Sequence, residues 1–339
     1  MAVDLHSSKK KKALGITSGG LDSILSALVL KDQGIDVSWI CFETPFFNSD
    51  AAVKSAKLLD IPIKVKDITE QYLPLLDSPK AGFGKNMNPC MDCHALMFAM
   101  AGKEMKKQEA DFLFSGEVVG QRPKSQNKNS MRYVEKNSGL QGLILRPLSA
   151  KLLAETIPEQ EGWVDRSKLF DITGRTRKVQ MAMAKEFGVK DYPAPAGGCL
   201  LTDPGFSNRL KDLKYVQKNF ENRELHLLKH GRHLRIDENL KIIVGRSKAD
   251  NDSILKYYQE NEDILINSVS LPGPVVLIVS KKHSDKIEET GGLICAAYTK
   301  AKPGELVDIN IVYPYKQSSS DKLFQVKARH RLDYQEMII

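Results

Sequence analysis

Six residues constrain this chain more than any others: Ser18-Gly19-Gly20-Leu21-Asp22-Ser23. They follow a short β-prone run, Ala13–Thr17, and open a segment, Leu21–Lys31, whose residues Leu21, Ile24, Leu25 and Leu28 recur at helical spacing. Two successive glycines allow a sharp turn that exposes consecutive backbone N–H groups, and a helix N-terminus adds the positive end of its dipole. Such a loop is built to hold a phosphate, with Ser18 and Ser23 as hydroxyl donors. Asp22 repels phosphate by charge, so its natural roles are orienting the loop or holding Mg²⁺. No G-K-[ST] follows, which excludes a Walker loop.

The strand–helix rhythm continues. Val37–Phe42 reads as a buried strand, Ala51–Leu59 as a helix, Ile61–Val65 as a strand, Cys93–Lys107 as a helix and Phe112–Ser115 as a strand. This alternation predicts an α/β fold with a doubly wound parallel sheet, whose ligands sit at the carboxyl ends of the strands. Residues 121–139 are polar and aperiodic, which reads as an active-site lid or an ordinary loop. Arg177–Phe187 reads as a helix, and Pro193–Gly198 breaks the chain and presents Cys199. From about Phe206 the texture changes. Leu240–Val244, Val275–Val279 and Leu306–Tyr313 read as strands and Asp252–Glu260 as a helix, giving a smaller α+β domain. The expected domains are 1–205 and 206–339. Ser318–Ser320 is a short low-complexity piece.

At 339 residues with 42% hydrophobic content there is ample material for two cores, so wholesale disorder is excluded. No apolar run is long enough for a membrane helix, and the lysines of Lys9–Lys12 precede no secretory-type apolar stretch. A cytoplasmic protein without a membrane partner is expected. The formal charge of +8 permits a polyanionic partner without demanding one. Five cysteines include the pair of Asn88-Pro89-Cys90-Met91-Asp92-Cys93-His94, which in a reducing compartment suggests metal or redox use. The C-x-x-C-H string matches haem attachment, but that chemistry belongs to exported proteins. A zinc site needs two further ligands, of which His94 is one candidate, and a thioredoxin-like dithiol is a third reading. Adding Cys199 opens two more. Three thiolates from Cys90, Cys93 and Cys199 can hold a [4Fe–4S] cluster with one iron open to sulfide. Alternatively, Cys199 carries a persulfide and the C-x-x-C pair reduces it. In either case a helix start beside Cys93 is expected to lower its pKa. Cys41 and Cys295 lie in apolar surroundings and read as core.

The hexapeptide resembles the signature of the PP-loop ATP pyrophosphatases, which split ATP into an adenylated substrate and pyrophosphate. Cys93 with the helix Met97–Met105, then Ser115–Gln121, Ser125-Gln126 and Leu145-Arg146-Pro147-Leu148, resemble the tRNA 4-thiouridine synthases; the Asn88–Cys93 stretch is shared with the tRNA 2-thiouridylases. The resemblance implies a cytoplasmic tRNA sulfurtransferase using ATP and Mg²⁺. It implies that Gly116, Glu117 and Gln121 line the nucleotide, that Lys151 serves adenylation, and that Cys199 is the catalytic cysteine. It further implies tRNA as substrate and either sulfide or a cysteine desulfurase persulfide as sulfur source, with a homodimer as the candidate assembly.

The phosphate loop begins at residue 18, so the family's N-terminal RNA-binding region is not expected, nor is a rhodanese-like extension. Residues 228–313 offer a substitute. Gly231-Arg232-His233-Leu234-Arg235, Ile243–Ser247, Asn251-Asp252, Gly273–Val276 and Ala296–Tyr298 are similar to the RNA-binding domain of the NFACT proteins. Arg232, Arg235, Arg246 and Lys248, with Tyr257 and Tyr258 nearby, suit phosphate contact and base stacking. Two other function classes compete: an RNA-binding factor that only senses nucleotide, for which the three cysteines have no use, and a PP-loop enzyme adenylating a small molecule, for which residues 228–313 have none.

Overall fold

Strands that are apolar along their whole length need cover on both faces, and a parallel sheet wrapped by helices supplies it. In the computed structural model, which describes residues 10–193, 198–260, 262–279, 284–312 and 322–339, the chain divides into two units, Met1–Thr202 and Asp203–Ile339. Lys9, residues 194–197 of the breaker before Cys199, Tyr313 and Ser318–Ser320 lie outside the described residues.

The first unit runs β1 (Lys12–Ile16), α1 (Leu21–Asp32), β2 (Asp36–Glu43), α2 (Asp50–Leu59), β3 (Ile63–Asp67), α3 (Thr69–Tyr72), α4 (Cys90–Lys107), β4 (Phe112–Ser115), α5 (Lys128–Ser138), β5 (Ile144–Leu145), α6 (Ile157–Gln160) and α7 (Lys178–Glu186). The strands are all parallel, in the order β3-β2-β1-β4-β5, so β1 lies at the centre with its carboxyl end between those of β2 and β4. Leu21, Ile24 and Leu25 of α1 pack on Ala13, Trp39, Phe112 and Phe114 in one core. This is the doubly wound α/β sheet that the alternation predicts.

Two elements depart from expectation. Within 121–139 the chain forms α5, because the Asn127 side chain accepts the Ser130 N–H at 2.9 Å and caps the helix start. Met131 and Val134 are buried, giving the short helix its one apolar stripe. The cysteine helix starts at Cys90 rather than Cys93, immediately after Pro89, so both cysteines of the pair lie in its first turn.

The second unit carries α8 (Pro204–Lys211), α9 (Asn222–Leu227), β6 (Arg232–Arg235), β7 (Lys241–Val244), α10 (Lys248–Leu255), β8 (Asp263–Ser268), β9 (Val276–Val279), α11 (Asp285–Ala297), β10 (Leu306–Val312) and β11 (Lys322–Lys327). Its sheet is antiparallel, in the order β11-β10-β8-β9-β7-β6, and α11 packs on one face through Ile294, Cys295 and Ala296. The helix expected over Asp252–Glu260 lies earlier: Ser247 caps α10, and i→i+3 bonds from the Tyr257 and Tyr258 N–H groups close it as a turn. No helix among the described residues is long and apolar enough to cross a membrane.

Candidate functional site

The loop between β1 and α1 is held from below and from one side. The Thr17 hydroxyl accepts the Gly19 N–H at 2.9 Å, and Ser55 of α2 donates to the Gly19 carbonyl at 2.9 Å. Gly19 has φ +74°, and a Cβ there would lie 2.3 Å from the Ala51 carbonyl, so both conformation and space demand glycine. Gly20 occupies the N-cap position of α1. Ser18 is exposed and Ser23 half-buried, and neither side chain is hydrogen-bonded among the described residues. Gly116, at the exit of β4, abuts the first turn of α1: a Cβ would sit 2.4 Å from the Ser23 nitrogen. Its role is this close approach of backbones.

Asp22 is the hub. Its Oδ2 accepts from Gln121 Nε2 at 3.0 Å and from Arg177 Nη2 at 3.3 Å. Its Oδ1 is buried without a hydrogen-bond partner among the described residues. Both donors are delivered by one clamp: the Val119 carbonyl accepts from the Gly174 N–H and the Thr173 hydroxyl, joining the Gln121 loop to the turn that leads into Arg177. Arg177 carries no role in the sequence reading. Its only local signal is the Arg175-Thr176-Arg177 cluster before a helix, and that pattern is as common on solvated surfaces. Lys151 does not reach this place; it is exposed and donates to the Ser167 carbonyl at 2.8 Å. The cation at the loop is Arg177.

Glu117 also departs from its expected place at the nucleotide. It is buried, with His94 Nδ1 2.8 Å from Oε1 and Arg146 Nε donating to Oε2 at 2.9 Å. Arg146, 2% exposed, donates as well to Glu135 at 2.5 Å. Burial alone would raise the Glu117 carboxyl, but the Arg146 charge and the His94 hydrogen bond outweigh it and hold it at about 2. Glu117 is therefore a buried anion that ties α4, β4 and β5 together. His94, the residue after Cys93, is thereby bonded to the residue after Gly116, the glycine whose backbone abuts the first turn of α1.

The thiols lie on the same side of the sheet. Cys90 and Cys93 are in the first turn of α4, and Asn88 Nδ2 donates to the Cys90 sulfur at 3.0 Å. The Cys199 segment is fastened by the Leu200 N–H to the Phe46 carbonyl at 2.9 Å and by Asn86 Nδ2 to the Thr202 carbonyl at 2.7 Å. Phe46 follows β2, and Tyr72 follows β3, its ring centroid 5.5 Å from that of Phe46 with the planes tilted by 42°, and its hydroxyl bonded to Cys93. Cys90, Cys93 and Cys199 are near enough to act on one another electrostatically.

The Cys93 pKa is not lowered. Burial, then the neighbouring Cys199 and Cys90, push it well above the ordinary value, against the Tyr72 hydrogen bond. Burial likewise pushes Cys199 up to about 11, with the Leu201 N–H and Arg122 pulling the other way. Desolvation outweighs the helix N-terminus because the first turn of α4 is covered rather than open. Among the described residues no group of three or more His, Cys, Asp or Glu stands where it could hold a metal ion.

In the second unit the four cations assigned to RNA separate. Arg235 makes a bidentate pair with buried Asp212, at 2.9 and 2.7 Å, and Lys241 adds a third bond at 3.1 Å. Arg246 pairs with Asp250 at 2.5 Å. The Arg232 guanidinium lies 5.1 Å from the Tyr298 ring centroid. Lys248 is exposed at the start of α10. Arg235 is thus tied into the fold through buried Asp212, whereas Arg246 stays exposed in a pair with Asp250 four residues on.

Residues 8–152 match the family described as thiamine biosynthesis protein (ThiI), and residues 231–336 match the NFACT protein RNA binding domain. A segment similar to the first family, on the parallel-sheet unit, thus precedes a segment similar to the second, on the antiparallel-sheet unit. Curated relatives include a tRNA-specific 2-thiouridylase MnmA of Desulfosudis oleivorans, 35% identical over 86 residues and 24% of each chain. The protein of the same description from Dichelobacter nodosus is 26% identical over 220 residues, 59% of this chain and 55% of its own. The chain thus spans about half the length, or less, of the curated relatives it matches. Among solved structures, a 4-thiouridine synthetase–RNA complex with bound ATP aligns at TM-score 0.36 and 18% identity, over 65% of this chain and 52% of that one.

Proposed function

We propose that this protein thiolates uridine in tRNA, with 4-thiouridine as product, by way of an adenylated base. The observation that carries the reading is the meeting of an anion loop with three cysteines at the carboxyl ends of one parallel sheet. Cys93 connects to the loop through His94, Glu117 and Gly116.

ATP would lie with its phosphates on the N–H groups of residues 18–23, its negative charge met by the α1 dipole and by Arg177. The orphaned, buried Asp22 Oδ1 suits Mg²⁺, which would neutralise phosphate charge there. Attack of the uridine O4 on the α-phosphorus expels pyrophosphate and turns a poor leaving oxygen into part of AMP. The outer sulfur of a Cys199 persulfide then bonds to C4 as AMP leaves. A thiol of the Cys90/Cys93 pair attacks the Cys199 sulfur, which breaks the S–S bond, leaves the thione on the base and forms a protein disulfide. An external dithiol reduces that disulfide for the next cycle. No step runs through a cluster. Because burial raises the Cys199 thiol, binding of the donor must bring its proton off; the thiolate then attacks the outer sulfur of a donor cysteine persulfide and displaces the donor thiolate.

Nucleoside mass analysis of tRNA from a deletion strain tests the reading. The expected result is loss of 4-thiouridine, restored by the wild-type gene and not by Cys199→Ala. Loss of 2-thiouridine instead would reassign the product to the class named by the curated relatives. Unchanged thiouridines would refute thiolation.

A further inference from the structure

One cluster in the second unit joins Tyr257, read from the sequence as a stacking residue, to two histidines and a lysine that none of these roles uses. It lies between α9 and the turn after α10. The Tyr257 ring centroid is 5.3 Å from that of His226 with 12° between planes, and 6.2 Å from that of His230 with 22°. All three rings are close to parallel. Lys229, between the two histidines in sequence, has its ammonium 3.4 Å from His226 Nδ1 and no carboxylate partner among the described residues. Burial alone depresses its pKa. Lys256 and Arg246 add positive charge around His230, and Asp250, 3.9 Å from its ring nitrogen, already neutralises Arg246. Positive charge beside the rings therefore exceeds its local compensation.

The turn that carries Tyr257 is rigid. Arg223 donates to the Tyr257 carbonyl at 3.0 Å and makes a two-bond pair with fully buried Asp263, at 2.6 and 3.0 Å. Asp263 also accepts the Gln259 N–H at 2.9 Å. A buried guanidinium–carboxylate pair thus fixes the backbone on either side of Tyr258, so the Tyr257 ring is set before any ligand arrives. Excess positive charge alone would suit any polyanion. Parallel, preorganised rings beside it suit a chain that carries both phosphates and flat bases.

We infer that His226, Tyr257 and His230, with Lys229, form a platform on which an unpaired base of RNA stacks while Lys229 and Lys256 meet its phosphates. This rests on the tRNA reading above and refines it, replacing Arg235 as a contact. The test uses the full chain, with tRNA and heparin, a polyanion without bases, as probes, and fluorescence anisotropy at several salt concentrations as readout. Tyr257→Leu, which keeps apolar packing and removes the π face, is expected to weaken tRNA binding roughly 5- to 100-fold, the range of one base–aromatic stack, and to leave heparin binding unchanged. Lys229→Ala should weaken both and reduce the salt slope for tRNA by about one. A Tyr257→Leu protein that melts like wild type and binds tRNA equally well overturns the platform. So does loss of tRNA and heparin by the same factor. Wild-type protein that holds heparin and not tRNA overturns the tRNA reading itself.

Discussion

Gly116→Ala puts a methyl carbon 2.4 Å from the Ser23 nitrogen, 2.6 Å from the Asp22 carbonyl carbon and 2.7 Å from the Ser23 Cα. All three are backbone atoms in the first turn of α1, so no side chain can swing aside. Ordinary contact begins near 3.4 Å, and the β4 exit and the helix start must therefore part by about 1 Å. That turn carries the N–H groups that would hold phosphate. A misplacement of ~1 Å in a binding constellation costs on the order of a hundredfold, and overpacking itself destabilises by ~1–3 kcal/mol. The control is Gly139→Ala at the end of α5: φ is +72° and nothing lies within 4 Å, so only backbone strain of about 1 kcal/mol is expected. Calorimetric titration with ATP and Mg²⁺, alongside thermal melting, reads both. Gly116→Ala should lose ATP affinity roughly a hundredfold, and Gly139→Ala should keep it. Gly116→Ala that binds ATP within about twofold of wild type, at unchanged Tm, refutes the claim that this contact sets the loop.

Two further outcomes are expected. Arg177→Ala should slow ATP-dependent release of pyrophosphate at least about tenfold, as befits loss of a charge-assisted contact, whereas Lys151→Ala should leave it unchanged; the opposite pattern restores Lys151 as the adenylation residue. Glu117 has an ordinary carboxyl value of 4.5 and is held at about 2 in the fold, so its stabilisation is complete above pH ~4.5 and is lost as pH falls from there through 2. Glu117→Gln should erase that acid limb in urea unfolding and, by leaving Arg146 short of its partner, cost about 3–5 kcal/mol at neutral pH. Parallel acid limbs in the two proteins would place the proton elsewhere.

Periodicity and turn chemistry are enough to read the parallel sheet, the glycine turn between β1 and α1, and the cysteine helix up to its start, because each is a local pattern with few alternatives. A glycine pair between an apolar run and a helical stripe admits one geometry, and Gly19 adopts the positive φ that geometry requires. Side-chain roles did not follow. Arg235 reads as an RNA ligand in the sequence, yet in the fold it is paired with buried Asp212 of a distant segment; a charge's partner depends on which element folds against it. Arg177 and Asp22 stand 155 positions apart and meet only because the Thr173–Gly174 turn bonds Val119. Burial is likewise tertiary. The first turn of α4 promised a low thiol pKa at Cys93, and burial in the tertiary fold, with Cys199 and Cys90 beside it, pushes it up instead, since desolvation disfavours a thiolate.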